Sequence, residues 1–295
     1  MKRTNHRVRS GNVALHAVTE GNPANAPLVL VHGYPDNHHV WDGVVDELTR
    51  DFYVVRYDVR GAGLSDKPAR TREYRLGALA GDLKAVVDQL LPGRAFHLAA
   101  HDWGSIQSWE SVTAGPLRGR ILSYSSISGP CLDHVGYWLR EQATDLQGGG
   151  TGKVLRQLAS SWYVFLFQVP VVSETLWRLG LDRAWPGILR KYEGIADARF
   201  SELQQDDGRY GVKLYRANFL PRLLRPEPRH AKCPVQLIIP KGDNYVGEQL
   251  FDRQVRWTGK LTRREVDAPH WAPLTAPGVV ADAIREFAFA DRRAG

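Results

Sequence analysis

The chain has 295 residues, 43% hydrophobic and 24% charged, which fits one large α/β domain or a domain carrying an insertion and excludes a disordered chain. Its 39 Lys and Arg against 32 Asp and Glu give a net charge of +7. The basic residues are interspersed with acids and densest at Lys2-Arg3, Arg222–Arg229 and Arg263-Arg264, so a diffusely basic surface is expected and no nucleic-acid partner.

The basic start Met1-Lys2-Arg3-Thr4-Asn5-His6 is followed by no apolar segment of secretory type, and no run is long enough to span a bilayer. A cytoplasmic location is expected. The first apolar run, Leu28–His32, reads as a buried strand and passes into His32-Gly33-Tyr34-Pro35. A turn there can aim the backbone N–H of Tyr34 into a pocket. His38-His39 have no carboxylate or cysteine at usable metal-ligand spacing and read as loop residues near the pocket mouth. A helical pattern over Val40–Thr49 precedes a strand at Tyr53–Tyr57, and another helix is read over Leu76–Leu90.

The strand Phe96–Ala100 runs straight into Ala100-His101-Asp102-Trp103-Gly104, followed by a helix over Ser105–Ala114 and a strand at Ile121–Ile127. Small residues around Asp102 permit a strained strand-to-helix elbow that presents its side chain at the top of a sheet. The same residue could instead cap the helix behind it. After Gly129-Pro130 the alternation stops. Residues 130–230, with a glycine-rich loop at Gly148-Gly149-Gly150, many aromatics and mostly helical patterns, read as a helical cap. The core domain is then residues 1–129 and 231–295. The strand Val235–Ile239 leads to Asp243, and a loop with Ala268-Pro269-His270-Trp271 precedes a final helix over Ala276–Ala288. Cys131 and Cys233 stand far apart without metal-ligand spacing and read as small buried residues.

Strands alternating with helices predict a mostly parallel sheet covered on both faces, with ligands beyond the carboxyl ends of the strands. Asp102, Asp243 and His270 occur in the order nucleophile, acid, histidine, with Asp267 and Asp133 as rival acids. His270 would be the base and Asp243 its orienting carboxylate. The backbone N–H groups of Tyr34 and Trp103 would stabilise an oxyanion.

With these residues in place, the chain resembles the α/β-hydrolase-fold epoxide hydrolases. The likeness is carried by Val31-His32-Gly33-Tyr34-Pro35, Asp58-Val59-Arg60-Gly61-Ala62-Gly63-Leu64-Ser65, His101-Asp102-Trp103-Gly104, Gly242-Asp243 and His270-Trp271, and extends over essentially the whole chain. It departs from the family at Ala100 and Pro240, where Gly is usual. The resemblance implies that Tyr163, in Trp162-Tyr163-Val164-Phe165-Leu166-Phe167-Gln168, and Tyr215, in Leu214-Tyr215-Arg216-Ala217-Asn218, donate to an epoxide oxygen. His32, Pro35, Trp162, Phe167 and Trp271 are expected to line the pocket. The expected substrate is a small hydrophobic epoxide, attacked by Asp102, with water as co-substrate and no metal or other cofactor. An aspartate nucleophile also suits haloalkane dehalogenation, in which the Trp103 indole would hold the halide, and a pocket that only binds a hydrophobic ligand is the non-enzymatic alternative. Hydrolase domains of this look are in some bacteria joined to a short-chain dehydrogenase, which the end at Gly295 leaves open.

Overall fold

The structure, a computed structural model, describes residues 3–144, 150–196 and 201–290. Eight strands form one sheet: β1 (Arg3–Ser10), β2 (Val13–Glu20), β3 (Ala26–Val31), β4 (Phe52–Tyr57), β5 (Phe96–His101), β6 (Ile121–Ile127), β7 (Val235–Gly242) and β8 (Leu261–Pro269). Their order is β1-β2-β4-β3-β5-β6-β7-β8. β1 and β2 pair antiparallel, as do β2 and β4, and all the remaining neighbours are parallel.

The five apolar runs read as strands all lie in this sheet. β1 and β8 are the two edges, and their charged sequences hide them from a search for apolar runs: β1 buries only Val8, and β8 only Val266 and Ala268. β2 alternates, with Val13, Leu15 and Ala17 turned inward.

Period-two alternation divides β3 between two cores. Val29 and Val31 pack with Leu83, Val87 and Trp109 under α2 (Leu76–Leu90) and α3 (Trp103–Thr113), on one face of the sheet. Leu28 and Leu30 pack on the other with Val44, Leu48 and Ile284, from α1 (Asp42–Leu48) and α11 (Pro277–Ala288). Each such aliphatic side chain contributes about 1.5–3 kcal/mol on burial, which fixes the sheet as a rigid floor. The short α10 (Ala272–Thr275) precedes α11.

Between β6 and β7 the chain forms α4 (Leu132–Thr144), α5 (Gly150–Ser160), α6 (Trp162–Gln168), α7 (Val172–Leu176), a π-helical turn at Trp177–Leu181, α8 (Asp182–Glu193) and α9 (Gln204–Leu224). Gly150 opens α5 rather than ending a loop, whereas Gly148 and Gly149 lie outside the described residues, as does the tail Asp291–Gly295. α9 ties this insertion to the sheet. The Asp207 carboxylate accepts from Gly63 N (2.7 Å) and Asn37 Nδ2 (2.9 Å), and Asn218 Oδ1 accepts from Leu76 N (2.9 Å). Arg222 and Arg229, part of the basic cluster seen in the sequence, are engaged with Glu110 and Asp133. Among the described residues no single helix is long and apolar enough to cross a membrane.

Candidate active site

β4 and β5 flank β3 on opposite sides, so the sheet winds outward in two directions from β3 and opens a crevice beyond the ends of β3 and β5. Asp102 stands there, directly after β5, with φ 51 and ψ −123. This left-handed conformation is costly for a side-chain-bearing residue. It occupies the cap position of α3, yet its side chain makes no capping hydrogen bond. Oδ1 instead accepts from the backbone N–H of Tyr34 at 2.7 Å. Two glycines make this approach possible. A Cβ on Gly33 would lie 2.3 Å from Asp102 Oδ1, and one on Gly104 would lie 2.2 Å from the Val31 carbonyl oxygen. Ala100 fits within β5 without disturbing the elbow.

His270 follows β8 and is buried. Its Nδ1 lies 3.0 Å from Asp243 Oδ2, and its Nε2 lies 3.7 Å from Asp102 Oδ2. Asp243 is itself held by the N–H groups of Tyr245 (2.9 Å) and Val246 (3.0 Å) on Oδ1. Pro240 is carried inside β7, and the Asp243 N–H turns back onto its carbonyl at 3.2 Å. Of the rival acids, Asp267 is exposed on β8 and Asp133 is bound to arginines.

The charges in this group support one another. Burial alone would depress the His270 pKa, but the Asp243 carboxylate, with Asp102 beyond it, raises it to about 9. Asp243 remains below the ordinary carboxylate range: burial opposes its charge, but His270 and the two loop amides outweigh it. Burial raises the Asp102 pKa, against the pull of His270 and of the Tyr34 and Trp103 N–H groups. At neutral pH this describes a His270 imidazolium paired with the Asp243 carboxylate on one side and facing Asp102 on the other.

Two cavities meet at Asp102. The larger, about 480 Å³, is lined by Tyr34, Pro35, Phe167, Trp185, His270 and Trp271, among others; the smaller, about 110 Å³, by Ile106, Leu132, Val164, Phe219 and Leu250. Tyr163 and Tyr215, from α6 and α9, line both, with ring centroids 6.1 Å apart. Burial, reinforced for each by the nearby Asp102 charge, raises both phenols well above their ordinary pKa. They therefore stay protonated throughout the neutral range. The Trp103 ring packs 4.8 Å from that of Tyr215, and its buried indole N–H faces the Tyr215 phenol.

Pro35, Trp162, Phe167 and Trp271 line the larger cavity. His32 lines neither. Its Nδ1 donates to the Gly33 carbonyl (2.9 Å) and its Nε2 accepts from Val59 N (2.8 Å). Burial lowers its pKa to about 4, so it is a neutral strut that shapes the Gly33-Tyr34 turn. His38 and His39 do not line the cavities either. They begin a 3-10 turn, and the fold supplies the carboxylate that their sequence spacing lacked: Asp58 Oδ1 lies 2.7 Å from His38 Nδ1. With His16, these groups bring three metal-ligating atoms within 4.8 Å of one another. Asp58, however, already accepts from the His38 and Leu64 N–H groups as well as facing both imidazoles, which makes the cluster a hydrogen-bonded strut between strands and loops.

Three buried or half-buried groups near the site are absent from the sequence reading. The Tyr245 ring lies 4.9 Å from that of His270 and lines both cavities. Asp36 accepts from Trp271 Nε1 at 2.9 Å, and burial raises its pKa to about 7. Glu193, at the end of α8, is buried, its pKa raised by that burial and pulled down by the charge of His270. Asp36 adjoins the His-Gly-Tyr-Pro turn and could have been found by extending that motif. No local pattern points to Tyr245 or Glu193.

Comparison with known proteins agrees with this architecture. The model of the alpha/beta hydrolase fold family matches residues 26–277. The chain is 36% identical over 277 residues to the "Probable oxidoreductase EphD" of Mycobacterium tuberculosis, a match covering 91% of this chain and 46% of that protein. It thus spans about half the length of these mycobacterial relatives. It is 31% identical over 294 residues to "Epoxide hydrolase 3" of Xenopus tropicalis, covering 95% of this chain and 76% of that one. An epoxide hydrolase from Bacillus megaterium superposes with a TM-score of 0.77 at 23% identity, over 96% of this chain and 99% of the other. One from Vigna radiata does so with a TM-score of 0.73 at 20% identity, over 97% of each. These two share the fold. The family model and the Xenopus relative together place this chain in the epoxide hydrolase family of the α/β-hydrolase fold.

Proposed function

We propose that this chain hydrolyses a hydrophobic epoxide to a vicinal diol through a covalent ester on Asp102. The observation that carries the proposal is the pairing of a buried Asp102, its Oδ1 fixed by the Tyr34 N–H, with two high-pKa phenols on the same cavity walls. Oδ2, the oxygen on the His270 side and not the one held by the Tyr34 N–H, is the attacking oxygen. It forms a bond to the less hindered ring carbon while the carbon–oxygen bond of the ring breaks. Tyr163 or Tyr215 gives its proton to the released oxygen, leaving a hydroxyalkyl ester and a tyrosinate.

The imidazolium proton of His270 then restores the phenol. Esterification also removes the Asp102 charge, one of the groups that raises the His270 pKa to about 9, so the imidazole is left as a competent base. It takes a proton from water as the oxygen of that water adds to Asp102 Cγ. The oxyanion forms on Oδ1, already facing the Tyr34 and Trp103 N–H groups. Collapse expels the diol alkoxide, which takes the proton of the new carboxyl group. Asp102 is again a carboxylate and His270 again an imidazolium, so charge and protons return to their starting state. The apolar lining of both cavities supports a hydrophobic substrate.

A second reading rests on Trp103, whose indole N–H lines the smaller cavity beside Asp102 and could hold a departing halide. One experiment separates the two. His270→Gln, incubated with a small epoxide such as styrene oxide, should accumulate an adduct of substrate mass on the peptide containing Asp102. Wild-type turnover in ¹⁸O-water should put label first into Asp102 and, on later cycles, into the diol. Halide release from haloalkanes with no adduct from epoxides would overturn the proposal in favour of dehalogenation.

A further inference from the structure

We propose that the inserted helices α5–α8 form a docking face for an anionic phospholipid surface, with both cavity mouths opening onto it. The face begins as an unusual concentration of exposed apolar side chains. Leu155, Trp162, Phe165, Val171, Leu176 and Leu179 are all exposed, the last at 80%, within a stretch of 25 residues. Scattered exposed apolar residues need no explanation, but a clustered set of this size marks an interaction surface. The helical stretches Trp162–Gln168 and Val172–Glu193 are together apolar enough for a membrane segment, yet they meet at a bend of 101°. The bend leaves their exposed apolar side chains on the outside of the insertion. At the bend, Val171 holds φ 72, a conformation unfavourable for a β-branched residue, and is 69% exposed.

Charge selects the occupant. Lys153, Arg156, Arg178, Arg183 and Lys191 are exposed on these same elements. Their acidic residues do not offset them: Glu174 is paired with Arg216, and Asp182 and Glu193 are buried. Exposed apolar side chains interspersed with exposed Lys and Arg, with Trp162 and Tyr192 among them, are the composition of a face that lies in a lipid headgroup layer. A second copy of this chain on the same patch would set basic residues against basic residues across a two-fold axis.

The cavity mouths strengthen the choice. Trp162, Leu176 and Tyr192 line the larger cavity and are exposed; Leu158 and Phe165 line the smaller and are exposed. Both rims thus belong to the apolar face, and a hydrophobic molecule held in a bilayer would reach Asp102 without crossing water.

The test is sedimentation of the whole protein with lipid vesicles, which does not depend on the chemistry proposed for the site. Vesicles of phosphatidylcholine with about 30% phosphatidylglycerol should carry down at least ~5-fold more protein than pure phosphatidylcholine, and ~0.5 M salt should remove most of that excess. Val171→Asn with Leu179→Ser should cut binding by about 10-fold. These positions line neither cavity, so circular dichroism and turnover of a water-soluble epoxide should remain as in the wild type. Arg178→Glu with Arg183→Glu should abolish the preference for phosphatidylglycerol. Failure of the wild type to sediment with either vesicle, or equal sedimentation of the Val171/Leu179 variant, overturns the proposal. So does a dimer in solution that this variant dissociates, since a second copy would then cover the face.

Discussion

At the residue scale the site depends on which protons are held and where. The His270 pKa of about 9 belongs to the free site. On the proposed mechanism esterification of Asp102 makes the base more acidic, so ester hydrolysis should fail in acid at a lower pH than the free-enzyme value. Rapid-quench measurement of the two steps separates them: ester formation should change little between about pH 7 and 9, while hydrolysis declines on the acid side. The phenols impose no alkaline limit in that range, since burial raises both well above the ordinary tyrosine value. Tyr163→Phe or Tyr215→Phe alone should slow ester formation by roughly ten- to a hundred-fold. The double variant should slow it by at least about a thousand-fold, because no acid then remains for the ring oxygen. If the double variant formed ester at the wild-type rate, neither phenol would be the donor.

At the element scale, the turn after β3 and the elbow after β5 work as one unit. Gly33→Ala would put a methyl group within 2.3 Å of Asp102 Oδ1, so either the elbow or the Tyr34 N–H must move. The expected result is a loss of ester formation of about a hundred-fold or more with a modest loss of stability. An unchanged rate would show that the Tyr34 N–H contact is dispensable. α9 offers a separate test. Burial raises the Asp207 pKa to about 7, above its unfolded value, so folding favours the protonated acid. Its contribution is full below about pH 4 and is lost as pH rises to about 7, with a slope near 1.4 kcal/mol per pH unit. In urea titrations, Asp207→Asn should lack this slope and gain stability relative to the wild type as pH rises.

At the scale of the whole molecule several shifts share a sign. Asp36 and Asp207, each raised to about 7, and His270, raised to about 9, all bind protons more tightly in the folded state. Their stabilisation is lost as pH rises through those values. Asp243 is shifted the other way, and its contribution disappears in acid. Against the raised groups, burial lowers His32, His101 and His134 to about 4, 3 and 4, so these add stability as pH rises toward the unfolded histidine value. The thermal midpoint should therefore be highest at about pH 6 and fall toward about pH 9. His270→Gln should flatten the part of that fall above about pH 6.5, the unfolded histidine value.

The alternating architecture and the chain positions of Asp102, Asp243 and His270 are legible from local signals: an apolar run, then a turn, at the end of a strand. The sequence also marked the inserted helices by a break in that alternation. It could not show the edge strands β1 and β8, whose sequences are polar because the edges of the sheet are solvated. Packing in three dimensions is what sets Asp243 and not Asp267 or Asp133 against His270, presents Asp102 Oδ1 to Tyr34 instead of capping α3, and puts His32 behind the turn as its support. It alone brought in Tyr245 and Glu193, and gave His38 the distant Asp58 as partner. These are distances between residues far apart in the chain, set by how strands order themselves in the sheet and how helices pack on it, and no local pattern of residues encodes them.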